Sequence, residues 1–411
     1  MPTDTPDPRI QNSPSMAEPS TTPLDHVIRF FTSLKLTITC LAFGMILIFV
    51  GTLAQVEYGI NQVLDMYFRS FVAIWRVPGT IVHVPLPGGF TVGTVLMINL
   101  LTSHFYRFRL SWKKSGILLT HFGLITLLLG ELFTALYARE SALRLTEGQT
   151  KNYSEAYREN EIAITDRSDP QFDKTMAIPE SALEVGTQHH VPQSTIRAEV
   201  RGYFANSTIL SRTGQTPPPD APQATQGLGT NLFARELPRV SKDDQGDRAV
   251  AWLELFGPSG SLGTWMVSNA FNQAQSFTFE GRPYTIEMRP RRYYKDFSLS
   301  LIEFRHDVYP GTTKARNFSS LVRLDDPSRS EDREVLIYMN HPLRYAGLTF
   351  FQQGYEGDAT TILQVVRNPS RHLPYISCIL VFAGLSIQFG IGLFAFINRP
   401  KKTAPIAASK P

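Results

Sequence analysis

Four long apolar runs constrain this chain more than any other feature of its sequence. They lie at about residues 35–55, 88–107, 115–138 and 375–398, and Glu131 interrupts the third. Crossing the hydrocarbon core of a bilayer takes about 20 apolar residues, and each backbone amide there must bond within its own helix. A single run is compatible with a buried core helix, but four runs this long and this free of charge predict four transmembrane helices.

The positions of the basic residues predict the orientation of these helices. Both the connection between the second and third runs and the tail at 399–411 carry basic residues but no acid: Arg107, Arg109, Lys113, Lys114, Arg399, Lys401, Lys402 and Lys410. Short loops of this kind remain in the cytoplasm. We therefore expect cytoplasmic termini, a short outer loop at 56–87 and a large extracytoplasmic segment at 139–374. The first run is read as a retained anchor because it lies far from Met1 and lacks a strong cleavage site.

The large outer segment has the two-residue period of β-strands. Phe297, Leu299 and Leu301 alternate with serines, and Ser276–Met288 reads as a hairpin with its turn at Glu280-Gly281. The fold class predicted is an α+β membrane protein with a sandwich-like antiparallel β domain. Polar composition marks 207–247 as a mobile insertion and 1–30 as a disordered cytoplasmic tail. Further strands are predicted at 161–165, 249–256, 264–267, 318–324, 335–339, 348–352 and 361–366.

Two further features exclude classes of function. The two cysteines, Cys40 and Cys378, both lie inside predicted helices, and no Cys-x-x-Cys occurs. The chain therefore neither exchanges disulfides on the outer side nor carries covalently attached haem, and its cysteines are interpreted as packing residues. The absence of a Gly-x-x-x-x-Gly-Lys loop excludes a nucleotide-driven transporter.

The order of these parts resembles the ResB family, also called CcsB, of system II cytochrome c biogenesis. Ala54 departs from this family, which often has proline there, and the long 207–247 insertion is a second departure. Over about residues 30–398 the resemblance is carried by five stretches: Ser33–Leu36, Gly51–Gln55, His121–Leu124, Asp296–Leu299 and, most distinctive, Asn340–Gln353.

This resemblance implies a subunit of a haem-attachment machine in the bacterial inner membrane, with the thylakoid membrane as the alternative. Such proteins work with a CcsA or ResC partner, whose Trp-rich loop handles haem, and attach haem to apocytochrome c. The four tryptophans here, at 75, 112, 252 and 265, form no cluster, so that loop is expected from the partner. The lipid bilayer is the other expected partner. The chain is expected to be non-catalytic alone, and no nucleic-acid partner is expected.

The resemblance also implies that His121 is an axial ligand of b-type haem, which is transported or transiently bound. His121 lies about 10 Å into the membrane from Lys114 at 1.5 Å per residue. On its helix, it points away from a face of small residues that is typical of close helix packing: Gly116, Thr120, Gly123, Gly130 and Thr134. On sequence physics alone, a single interhelical hydrogen bond is an open alternative for His121.

Three weaker candidates accompany His121. His104, near the cytoplasmic end of the second run, is a possible second haem ligand or a side chain that extends to the headgroups. Glu131 is an intramembrane acid with either a proton or cation role or an interfacial position. His83 lies in the short outer loop, where a solvated histidine is the alternative.

Two other classes of function are compatible with the sequence. In one, the β domain is a binding or scaffold module for an unrelated extracytoplasmic ligand, and the helices only anchor it. In the other, the chain is a free-standing b-type haem electron carrier that uses His104 and His121. A colourless purified protein would indicate the first, and a stable low-spin haem spectrum without a partner would indicate the second.

The predicted orientation is tested with reporter fusions. Alkaline phosphatase fused within residues 200–250 should be active, and a fluorescent protein that requires the cytoplasm should be dark at the same position. Fusions after Lys114 serve as the control and should behave in the opposite way. A phosphatase that is inactive at 200–250 and active after Lys114 would contradict the orientation.

Overall fold

The computed structural model describes residues 22–77, 79–107, 111–214, 216–218, 221–240, 246–311 and 315–398. The chain divides into two compact units, which we call the helical unit and the β unit. The helical unit contains the chain up to Leu53, Val63–Leu129 and the chain from Leu373 onward. The β unit contains Ala54–Gln62 and Gly130–His372. The basic residues predicted at 109 and 399–411, and residues 1–21 of the predicted tail, lie outside the described residues.

Five α-helices form in the described part of the chain. Short π turns follow α2, at Leu64–Phe68, and α3, at Ser103–Arg107, and a 3₁₀ turn at Trp112–Lys114 precedes α4. Gly59 breaks the regularity of α2 with a φ of 71°. The helices are α1 (Pro23–Phe31), α2 (Leu34–Val63), α3 (Gly89–Thr102), α4 (Ser115–Tyr137) and α5 (Leu373–Ile397).

Three of the described helical stretches are long and apolar enough to cross a membrane: Leu34–Ile60, Trp112–Tyr137 and Leu373–Ile397. They correspond to the first, third and fourth predicted runs. The second run forms α3, whose 14 residues span only about 21 Å before the π turn begins. Three membrane helices are therefore found where four were predicted, because the regular part of α3 is short.

Helix α1 was not predicted, since its residues fall within the tail assigned as disordered. Its start has a complete capping box, in which the Thr22 hydroxyl accepts from the Asp25 amide and the Asp25 carboxylate accepts from the Thr22 amide. Pro23 occupies the first helical position, where its missing N–H costs nothing. These signals in the local sequence mark the start of a helix.

The predicted small-residue face of α4 packs against α5 in the helical unit. A Cβ atom added to Gly384 would lie 2.6 Å from the Thr120 backbone nitrogen and 2.8 Å from the Gly116 carbonyl oxygen. The Ser377 hydroxyl, 1% exposed, donates to the Gly123 carbonyl oxygen at 2.8 Å. Only glycine allows this approach of two backbones, which gives the van der Waals packing that holds helices together in lipid.

The β-strands belong to four antiparallel sheets. In the helical unit, β1 (Val72–Arg76) pairs with β2 (His83–Pro87). The remaining strands belong to the β unit: β3 (Arg139–Thr146), β4 (Thr150–Asp166), β5 (Lys174–Pro179), β6 (Gln188–His190), β7 (Arg197–Phe204), β8 (Ser207–Ser211), β9 (Leu232–Glu236), β10 (Val250–Gly257), β11 (Gly260–Ser268), β12 (Gln275–Phe279), β13 (Arg282–Val308), β14 (Ala315–Asp326), β15 (Glu331–Tyr338), β16 (Leu343–Tyr345), β17 (Leu348–Glu356) and β18 (Thr360–Arg367).

The largest sheet of the β unit has ten strands and is organised around the long strand β13. Its main path runs β15-β14-β13-β4-β3-β18-β17-β16, with β12 and β5 paired to β13 and β4. A four-stranded sheet has the order β11-β10-β7-β6, and β8 pairs with β9. The first half of β13, with β4 and β5, packs its apolar face on the four-stranded sheet through side chains such as Ile164, Ile286 and Leu253. The second half contributes Phe297, Leu299 and Leu301 to a second core.

The predicted antiparallel β domain is confirmed, and each predicted strand corresponds to an observed one. The hairpin turns where expected: Phe279 pairs with Arg282, and Glu280 and Gly281 have φ values of 49° and 76°. Strands β8 and β9 were not predicted. They lie in the stretch 207–247 that was assigned as a mobile insertion, and the Phe233 side chain there is fully buried.

The contact of α4 with α5 predicts different effects when two glycines of α5 are each replaced by alanine. Gly384→Ala places a methyl group against the α4 backbone and should lower the free energy of unfolding by about 1–3 kcal/mol. Gly390→Ala is the matched control, because nothing lies within 4 Å of its added Cβ. It should be neutral or slightly stabilising, since alanine favours helix. Thermal unfolding in detergent measures both, and equal effects would contradict this packing.

Candidate functional site

His121 lies in the second turn of α4 and is half-buried. One turn further along, Ile125 is buried, whereas the adjacent Phe122 is 52% exposed. Thr120 and Gly123 face α5, as described above. His121 therefore lies on a different part of the α4 surface from the glycine contact, as the helical periodicity predicted.

The hydrogen bonding of His121 fixes the tautomer of its ring. Nδ1 lies 2.8 Å from the carbonyl oxygen of Ile117, one turn earlier in α4. A carbonyl oxygen only accepts, so Nδ1 must carry the proton and donate it. In the neutral ring, the lone pair is then on Nε2. A histidine that binds a metal through Nε2 is oriented in the same way, by an Nδ1–H bond to a backbone carbonyl.

His104 lies in the π turn that follows α3 and is half-buried. Its ring meets that of Phe105 edge-on, with centroids 5.9 Å apart. π turns within helices occur often at functional sites, because the wider turn redirects side chains. The structure thus places His104 and His121 on separate helical segments of the helical unit.

The two remaining candidates have exposed side chains. Glu131 lies in α4 and is exposed. His83 begins β2, opposite Arg76 of β1, and its Nδ1 lies 3.0 Å from the Ile81 carbonyl oxygen. The exposure of Glu131 is consistent with an interfacial position, and the exposure of His83 is consistent with a solvated histidine.

Asn99 is a polar residue of the helical unit that the sequence analysis missed. It lies in α3, is 2% exposed and forms hydrogen bonds with residues at the break between α1 and α2. Its Nδ2 donates to the carbonyl oxygens of Phe31 (2.6 Å) and Ser33 (3.2 Å), and its Oδ1 accepts from the Thr37 hydroxyl at 2.7 Å. The Asn99 amide thus provides hydrogen-bond donors for backbone carbonyl oxygens at the break between the two helices. The signal was present in the sequence, since Asn99 interrupts an otherwise apolar run.

In the β unit, the distinctive stretch Asn340–Gln353 forms a turn and the β16–β17 hairpin. Asn340 and Gly347 have φ values of 64° and 77°, which is the left-handed conformation that tight turns use. The His341 ring stacks on Tyr338, with centroids 4.0 Å apart. The Gln352 amide accepts from the Ser320 hydroxyl at 2.7 Å and donates to that of Thr361 at 2.8 Å. These contacts give the stretch a structural role.

Comparison with known proteins gives matches to parts of the chain. The model of the ResB-like family matches residues 249–362, from β10 into β18. The protein NrfI of Wolinella succinogenes is 38% identical over 97 residues, which cover 23% of this chain and 11% of that protein. Cytochrome c biogenesis proteins CcsB from Synechococcus strains CC9605 and CC9902 are 31% identical over 113 residues and 34% over 104. These alignments cover 28% and 25% of this chain.

The fold and the helices define a class of protein that joins helices of membrane-spanning length to a large antiparallel β domain. Within this class, the predicted resemblance to the ResB family is confirmed by the family match and by the CcsB relatives. The aligned segments span 11% to 25% of the relatives' own lengths.

Proposed function

We propose that this chain acts in cytochrome c biogenesis as a ResB-type subunit. In this role it works with a CcsA/ResC-type membrane protein to deliver haem across the membrane and to support its covalent attachment to apocytochrome c. The similarity of residues 249–362 to the ResB-like family supports the process, as do the CcsB relatives, which are cytochrome c biogenesis proteins.

The observation that carries the haem-handling part of this proposal is the tautomer of His121. A neutral imidazole with its proton on Nδ1 has its lone pair on Nε2, and histidine is a common axial ligand of haem iron. The bond to Ile117 orients the ring before haem arrives. Haem is the cargo here, and His121 binds it through the iron. The proposed second ligand is His104, and Glu131 and His83 have auxiliary positions.

The proposed topology keeps four spans, cytoplasmic termini and an extracytoplasmic β domain in the bacterial inner membrane. Helix α3 and its π turn together run from Gly89 to Arg107, which brings the second span close to the required length. Asn99 supports this placement, because a buried amide within an apolar helix is stable only when its hydrogen bonds are satisfied. The boundaries of the outer domain at 139–374 and its sandwich-like packing belong to the same proposal.

A b-type electron carrier is the second candidate, favoured only by the position of His104 in a π turn. The electron carrier and the ResB-type subunit differ in whether they depend on another protein. An electron carrier retains haem without a CcsA-type protein, whereas a ResB-type subunit binds haem only transiently and acts together with that partner.

The role of His121 is tested by co-expressing the full chain with a CcsA-type protein and an apocytochrome c reporter. His121→Ala and His121→Gln should both lower haem staining of the reporter at least about tenfold, because neither side chain supplies an imidazole. Thr126→Ala is the matched control, since Thr126 also bonds back by one turn, to the Phe122 carbonyl oxygen at 2.9 Å. It should retain staining.

The glutamine variant separates ligation from hydrogen bonding. Its amide can replace the Nδ1–H bond to Ile117 but is a poor iron ligand. Full staining with His121→Gln, at equal protein level in the membrane, would contradict haem ligation and leave a structural hydrogen bond as the role of His121.

A further inference from the structure

A cleft in the β unit concentrates positive charge. It has a volume of about 310 Å³, and four cationic side chains line it: Arg139, Lys295, Arg329 and Arg367. The two carboxylates of the cleft, Asp296 and Asp326, leave an excess of two positive charges. Asp326 is in addition engaged by the Tyr345 hydroxyl at 2.7 Å and by the Ser328 hydroxyl at 2.6 Å.

Two of these cations face each other across neighbouring strands. Arg139 begins β3, Arg367 ends β18, and the two residues are direct partners in the antiparallel ladder. Like charges directly opposite each other destabilise a sheet. Among the described residues, nearby arginines do form ion pairs, Arg144 with Glu356 and Arg329 with Asp326, but neither guanidinium group of the facing pair belongs to an ion pair of that kind. The pair is therefore an arrangement that an anion would stabilise.

Lys295 adds a third charge at the floor of the cleft. Its ammonium donates to the Ser154 hydroxyl at 2.8 Å and to the Tyr293 carbonyl oxygen at 3.0 Å. Ser154 is 1% exposed. Burial without a carboxylate partner lowers the pKa of the Lys295 ammonium to about 8. A bound anion would offset this desolvation.

The chain reaches the cleft at Arg139 directly after an apolar segment of the same unit. Arg139 lies two residues after the end of α4, whose last turns expose Phe133 (41%), Leu136 (60%) and Tyr137 (60%). Between them, Thr134 is hydrogen-bonded to Ser370 at 2.9 Å, three residues after Arg367. Exposed aromatic and aliphatic side chains next to arginines are typical of the boundary between hydrocarbon and headgroups.

We propose that this cleft binds the anionic phosphate headgroup of a phospholipid at the outer membrane surface. Arginine recognises phosphate through paired N–H donors, and Arg139 and Arg367 are each only a few residues along the chain from the Thr134–Ser370 contact at the exposed α4 turns. The cleft is too small for a large ligand, so the acyl chains lie along the α4 turns and only the headgroup enters. This site is separate from His121 and does not depend on the cytochrome c role.

The test measures thermal unfolding of the full chain in neutral detergent micelles. The additions are phosphatidylglycerol, phosphatidylcholine or inorganic phosphate at equal concentration. Phosphatidylglycerol should raise the unfolding temperature in a saturable way, because a ligand that binds only the folded state stabilises it. Phosphatidylcholine and inorganic phosphate should have little effect.

Variants connect this effect to the cleft. Arg367→Gln should unfold at the same or a higher temperature than the wild type without lipid, since the facing charges no longer repel. Its apparent Kd for phosphatidylglycerol should be at least about tenfold weaker. Arg371→Gln is the control, because Arg371 lies nearby in the chain but does not line the cleft. It should respond like the wild type.

Three results would overturn the proposal. Equal stabilisation by phosphatidylcholine would show that the headgroup charge is not recognised. Equal stabilisation by inorganic phosphate would assign the cleft to a free anion rather than a lipid. An unchanged phosphatidylglycerol response in Arg367→Gln would place lipid binding elsewhere.

Discussion

The absence of water in a bilayer core is the constraint on which the helical unit depends, because every polar group there must find a partner within the protein. In the α4–α5 contact, glycines let the two helices approach closely, and the buried Ser377 hydroxyl finds its partner in the Gly123 carbonyl oxygen. Asn99 satisfies the constraint at the break between α1 and α2. His121 follows the same rule through its bond to the Ile117 carbonyl oxygen, and this bond places the ring proton on Nδ1.

The parts of the fold that local pattern determines were predictable from the sequence. Apolar length identified α2, α4 and α5, and the two-residue period identified part of β4, the strands from β10 to β15, β17 and β18. The Glu280-Gly281 turn was predicted from the alternating pattern on either side of it, and the positive φ values of both residues confirm it. The short α3 was overestimated because hydropathy does not show where an α-helix changes to a π turn. Strands β8 and β9 were missed because a polar, proline-containing stretch separates them, and long-range pairing then supplies the order that composition does not indicate.

The candidate site was predictable to a different degree. The position of His121 on α4, away from the glycine face, followed from helical spacing, whereas its tautomer needed coordinates. The basic cleft was invisible in the sequence, because Arg139 and Arg367 are 228 residues apart and become neighbours only when β3 pairs with β18. Lys295 reaches them because β13 also pairs with β4, which carries Ser154. The topology of the ten-stranded sheet therefore creates a charge cluster that no local motif encodes.

The central claim is that His121 binds haem as part of a complex with a CcsA-type protein. The most direct measurement is the haem content and absorption spectrum of that complex, purified in mild detergent from cells that express the full chain with its partner. We expect the wild-type complex to carry haem and the His121→Gln complex to assemble with the same stoichiometry but with much less haem. Equal haem content and an identical spectrum in the two complexes, or failure of the wild-type chain to capture any CcsA-type partner, would contradict the account.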